Sequence, residues 1–222
     1  MKKISLLIVA FGILALNVQA GPPQLQKGTL YFGTSSSIAI GGSQDSRPLS
    51  LGFVKTNYKT DGETTSSYSS FVYNIMPRTG IFVMDNLVTG LEFLITGYSE
   101  NESDTDYSNG QSTLGVGPWA RFYYPLEKIY PFVEGSILFG QYKDSYGEGS
   151  DWKEFMLSLG LSAGVAFPVG DHVTFDAMIG YSRTSYQPTA DGSESYNSVC
   201  SGFGAGMGIS IYLSCLNGLF NK

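Results

Sequence analysis

Histidine is nearly absent from this chain, with one residue, His172, in 222. That excludes any multi-histidine metal centre and leaves little room for histidine-based acid–base chemistry. Cysteine is almost as scarce: Cys200 and Cys215 cannot build a disulfide scaffold. Charge is thin too, at 14 % of residues against roughly 25 % in a typical soluble domain. Basic residues are outnumbered 13 to 19, giving a net charge of −6. Nucleic-acid binding wants a basic footprint, so no nucleic-acid partner is expected. What the chain has instead is glycine (28), tyrosine (15) and phenylalanine (14). That mix argues against a disordered chain, a coiled coil or a helical bundle.

The first twenty residues differ from the rest. Lys2 and Lys3 precede an apolar run from Ile4 to Leu16, and small residues stand at Val18 and Ala20. Residues 1–20 read as a secretory signal peptide cleaved after Ala20. The run is shorter than the roughly 20 residues a membrane helix needs. Loss of Lys2 and Lys3 takes the net charge from −6 to −8. The remainder, 21–222, has no comparable apolar run and is read as one domain with no cofactor. If it enters a membrane it must do so as a closed barrel, because unpaired backbone groups are too costly in lipid.

Period-two alternation dominates that remainder. From Phe155 to Phe167 every second residue is apolar, while the residues between are small or weakly polar. Phe203, Ala205, Met207, Ile209, Ile211 and Leu213 alternate in the same way with Gly204, Gly206, Gly208, Ser210 and Tyr212. The pattern predicts eight strands, at about 28–41, 67–84, 87–100, 111–126, 129–144, 152–169, 172–187 and 197–213. Short connections at 85–86, 127–128 and 170–171 alternate with longer polar ones near 42–66, 101–110, 145–151 and 188–196. This is the signature of an all-β, eight-stranded, antiparallel up-and-down transmembrane barrel of the outer membrane. The segment 49–58 also alternates and is read as an extension of the first hairpin, not a ninth strand.

With apolar residues turned to lipid, the opposite parity turns five charges inward: Arg78, Glu92, Arg121, Glu134 and Asp176. A turn closing 126 onto 129 sets Arg121 opposite Glu134, and a turn centred on Asp85 sets Arg78 opposite Glu92. Buried charges are tolerated when paired. The structural reading is an ion-pair belt filling a narrow barrel; the functional reading is a selectivity filter or gate. The same parity sends Trp119, Tyr123, Phe132 and Met156 inward.

Other features weigh less. Gly202, Gly204, Gly206 and Gly208 alternate along a strand and lack the strand–loop–helix context of a phosphate-binding loop. His172 sits at a short turn, away from the serines and acids of the long connections, so no Ser-His-Asp triad is expected. The acids Asp104, Asp106, Glu148, Asp151, Asp191 and Glu194 have no EF-hand spacing. Tyr58, Tyr68, Tyr107, Tyr146 and Tyr196 suit either adhesion or an upper aromatic girdle. Cys200 and Cys215 flank the last strand, roughly 50 Å apart if extended, and are not expected to pair.

Two stretches carry a family resemblance. Pro77-Arg78-Thr79-Gly80-Ile81-Phe82-Val83-Met84-Asp85-Asn86-Leu87 resembles the PKxGYFVxDNL hairpin of small outer-membrane β-barrel proteins. Gly117-Pro118-Trp119-Ala120-Arg121-Phe122-Tyr123-Tyr124-Pro125, continued by Pro131-Phe132-Val133-Glu134, resembles their GPFARYYFP strand. The group is the porin-like "outer membrane protein beta-barrel domain", similar in architecture to outer-membrane protein X and the membrane part of outer-membrane protein A. The resemblance covers most of the chain after residue 20 and implies a non-catalytic barrel in contact with outer-membrane lipid. Its members often end at an aromatic of the last strand; here the alternation runs to Leu213 and nine residues follow. The expectation is a monomeric envelope protein that engages a surface ligand through its loops or stabilises the envelope. The rivals are a channel or carrier for small or hydrophobic solutes, and an outer-leaflet lipid-modifying enzyme.

Overall fold

In the computed structural model, residues 22–34, 49–60, 63–102, 108–146, 150–189 and 198–213 are described. The signal segment 1–20, the tail 214–222 with Cys215, and residues 35–41 of the first expected strand lie outside them. Ten strand segments make one antiparallel sheet: β1 (Leu30–Thr34), β2 (Leu49–Thr60), β3 (Glu63–Ile75), β4 (Pro77–Met84), β5 (Leu87–Glu102), β6 (Ser108–Tyr123), β7 (Tyr130–Tyr146), β8 (Ser150–Pro168), β9 (Val173–Pro188) and β10 (Ser198–Leu213). β3 and β4 are one stave broken at Met76, because both pair with β5. β1 pairs with β4 on one side and with β10 on the other, from Leu30↔Leu213 to Gly33↔Ser210, which closes an eight-stave barrel.

The alternation at 49–58 reads as an extension of the first hairpin, and β2 is that extension, paired with β3 from Leu49↔Ile75 to Thr60↔Glu63. It continues the line of β1 along the second stave. Three differences from the sequence reading have physical causes. First, this hairpin takes up much of the expected long connection 42–66. Second, the strands run on past their apolar bands, to Glu102 and from Ser108, and to Tyr146 and from Ser150. Alternating hydrophobicity marks where a ladder faces an apolar medium, not where its hydrogen bonds stop. Third, residues 22–29 are a folded cap. A 3-10 turn, Pro23–Leu25, tucks into the short-turn end of the barrel.

The cap is bonded on several sides. Asn86 N–H donates to the Leu25 carbonyl at 2.8 Å, Gly28 N–H to that of Phe82 at 2.9 Å, and Phe82 N–H to that of Thr29 at 2.9 Å. Lys27 N–H donates to Asp85 Oδ1 at 2.9 Å, and Gln24 Nε2 to the Tyr130 hydroxyl at 3.0 Å. Leu25 is fully buried and belongs to the same apolar cluster as Phe82, Tyr123, Tyr130 and Tyr212. Gly28 takes φ 88°, a left-handed conformation natural to glycine, and this turns the cap back into β1.

Burial follows the parity. Trp119, Tyr123, Phe132 and Met156 are all inside. The wall curves tightly beside them: a Cβ at Gly117 would overlap the Ile137 carbonyl oxygen. Only glycine allows that approach of β6 to the backbone of Ile137 and Leu138.

Candidate functional site

Charge enters the lumen from five staves. Arg78 stands opposite Glu92 on β4 and β5, and Arg121 opposite Glu134 on β6 and β7. The turns fix both pairings. Leu126 N–H bonds to the Ile129 carbonyl at 2.9 Å, and Asn86, at φ 66°, closes the other hairpin. A register shift after Phe82 adjusts the second turn without displacing Arg78. Arg78 gives Nε and Nη2 to Glu92 Oε2 at 2.8 and 2.6 Å. Arg121 Nε donates to Glu134 Oε2 at 2.7 Å.

Barrel closure then adds contacts that a flat sheet does not have. Glu92 lies opposite Gly117, not Arg121, so the belt does not simply run around the wall. Arg78 reaches across the lumen instead, its Nη1 lying 2.7 Å from Glu134 Oε2 as an ion pair outside hydrogen-bond geometry. Arg121 Nη1 reaches Asp176 Oδ2 on β9. The order is Glu92–Arg78–Glu134–Arg121–Asp176, two cations threaded between three anions, all buried.

Hydroxyl groups finish the network, and its proton directions can be worked out. Asp176 as a carboxylate only accepts. It takes Thr174 Oγ1–H at 2.8 Å and Ser210 Oγ–H at 2.7 Å. Each hydroxyl has one proton, so the Tyr31 hydroxyl must donate to Ser210, 2.7 Å away, and that of Tyr212 to Thr174, 3.1 Å away. Tyr123 then donates to Tyr212 at 3.1 Å and accepts from Arg121 Nη1 at 3.0 Å. The result is a closed ring, Arg121–Tyr123–Tyr212–Thr174–Asp176, with every hydroxyl proton directed toward the carboxylate. Sequence reasoning placed Tyr123 inward but assigned no role to Tyr31, Thr174, Ser210 or Tyr212. Their inward parity was the available signal.

Aromatic faces cover what hydrogen bonds do not. The Arg121 guanidinium carbon lies 3.9 Å from the Phe132 ring centre, and that of Arg78 lies 4.9 Å from the Trp119 ring centre. Arg121 Nη2 has no hydrogen-bond partner, and these ring faces are its electrostatic substitute. Charges, hydroxyls and rings thus share the buried lumen with one another.

Other residues named from sequence are elsewhere. His172 is at the short-turn end, its Nδ1 3.2 Å from the Tyr212 carbonyl oxygen. Cys200 is a free, exposed thiol on β10. Asp104, Asp106, Glu148, Asp191, Glu194, Tyr107 and Tyr196 lie outside the described residues. No family model matches the chain, and no characterised protein matches it in sequence.

Proposed function

We propose that the protein is an integral outer-membrane β-barrel with a sealed lumen, acting without catalysis through its outer loops or by reinforcing the envelope. The observation that carries this is the outer surface. Phe203 is 83 % exposed, Met207 76 % and Ile179 68 %, within a band continued by Leu114, Leu161, Phe139 and Phe175. Contiguous apolar surface on this scale marks contact with a partner or a membrane, and a band circling a closed barrel suits lipid on all sides. The staves from β5 to β10, 16 to 19 residues each, exceed the roughly 9–11 a tilted strand needs to cross a bilayer. The surplus would project beyond the outer leaflet and support surface recognition by a monomer.

This reading makes the resemblance to small outer-membrane barrels, the leader at 1–20 and delivery through the periplasm parts of one account. An eight-stave interior is just wide enough for side chains to fill, and here it holds arginines and aromatic rings above a folded cap. That favours a sealed barrel over the rival channel. Cell fractionation tests the reading. The protein is expected with the outer membrane and should migrate faster on a denaturing gel before boiling than after. Recovery as a soluble periplasmic protein with no heat-dependent shift would contradict it.

A further inference from the structure

Above the charge belt, toward the long-connection end, the lumen carries a second polar cluster that the belt does not use. Asp144 on β7 is 9 % exposed. Its Oδ2 accepts from the Tyr142 hydroxyl at 3.2 Å and from Gln111 Nε2 at 3.4 Å, whereas its Oδ1 is buried with no partner. Asn109, the next inward residue beyond Gln111 on β6, likewise has a buried Oδ1 without a partner. Buried polar atoms are nearly always satisfied, and an exception calls for an explanation. Both exceptions are acceptors, so what is missing is a donor.

The surroundings specify the donor's charge. By the alternation of their strands, Glu100 and Glu154 turn toward the same mouth. Lys55, Lys143, Lys153 and Arg183 stand on the outward parity; Lys59 lies past the bulge of β2, seven residues beyond Gly52, which shares the register row of Asp144 through Val72, Tyr98 and Gln111. Among the described residues the inward-facing arginines are the two of the belt, already held by Glu92, Glu134 and Asp176. Such a mouth focuses a negative potential and draws in cations. Beside Asp144, the Tyr142 and Tyr186 rings meet edge to face with centres 5.9 Å apart. Aromatic rings next to a carboxylate suit an organic cation. A calcium ion would want six to eight oxygen ligands.

We infer that this mouth is a binding site for a primary ammonium group, which donates to Asp144 Oδ1 and Asn109 Oδ1 and packs against Tyr142 and Tyr186. The group could arrive on a small free amine or on a lysine side chain of a partner polypeptide; the chemistry is the same. The site gives the long-connection end of the barrel a ligand class, and it does not depend on where the barrel resides.

The test is ligand-observed NMR on the full protein in detergent micelles, titrated separately with n-butylammonium, Nα-acetyl-lysine amide and calcium. Saturable amine binding is expected, weakened at least tenfold by Asp144→Asn, weakened by Tyr186→Leu and unchanged by Asp171→Asn at the opposite end. Unaltered far-ultraviolet circular dichroism and an unaltered thermal transition would show that the variants fold. Similar binding of both amines, or tighter binding of n-butylammonium, would point to a free amine; tenfold tighter binding of the lysine amide would point to a polypeptide lysine. Either result supports the site. Absence of saturable amine binding, equal binding by Asp144→Asn, or binding of calcium but of neither amine would overturn it. None of these outcomes bears on the fractionation result, so the two proposals fail separately.

Discussion

Replacing Arg121 by leucine is expected to destabilise the barrel by about 3–5 kcal/mol, the usual cost of removing one member of a buried ion pair. Arg121 holds two carboxylates at once, Glu134 and Asp176, and donates to the Tyr123 hydroxyl. Its loss opens the hydroxyl ring at the point where the chain of donors begins. Glu134 keeps Arg78, 2.7 Å away, and Asp176 keeps Thr174 and Ser210, which limits the damage. The double variant Arg121→Leu, Glu134→Leu should be milder than the sum of the singles, because it removes an anion together with its cation. A coupling of about 0.5–3 kcal/mol is characteristic of groups within one network. Urea unfolding in lipid vesicles measures all three. Additive effects would mean that the two side chains do not interact.

The second large effect is expected at the cap. Leu25→Ala should cost about 2–5 kcal/mol, as for other fully buried leucines that leave a cavity. Leu25 belongs to a buried cluster whose aromatic members include Phe82, Tyr123, Tyr130 and Tyr212, each fixed to a separate stave, which limits collapse into the space. Gln24→Ala should cost only about 1 kcal/mol, the net value of one hydrogen bond, here to Tyr130. Neither change should open a conducting path, because the belt closes the lumen independently. Buried Trp119 offers a fluorescence signal for the same urea titration. A Leu25→Ala variant as stable as the parent would show that the cap does not pack as described.

The staves were legible because two simple rules act on every residue of a strand: side chains alternate, and a short turn fixes the register. Those rules were enough to set Arg78 against Glu92 and Arg121 against Glu134. They could not give the reach of Arg78 to Glu134. That contact joins residues that are not neighbours in the sheet and depends on the diameter and stagger of the closed barrel. The cap was not legible because Pro22-Pro23-Gln24-Leu25-Gln26 has one large apolar residue and no period. β2 was legible as an extension of the first hairpin from the alternation of Leu49, Leu51 and Phe53. Its residues Lys55, Thr56 and Asn57 are polar, yet their backbone still pairs with β3. At the mouth, the register that sets Arg121 against Glu134 also sets Gln111 against Asp144, so that pairing was legible; the unpartnered Oδ1 atoms of Asp144 and Asn109 were not, because they depend on side-chain positions in the closed barrel.

A lumen closed twice, by the cap and by the belt, is tested most directly by single-channel recording of the refolded protein in a planar bilayer. Insertion, scored independently by co-flotation of the protein with lipid vesicles, is expected without stable porin-sized conductance. Long-lived, uniform conductance steps from the unmodified protein would contradict it and favour a channel.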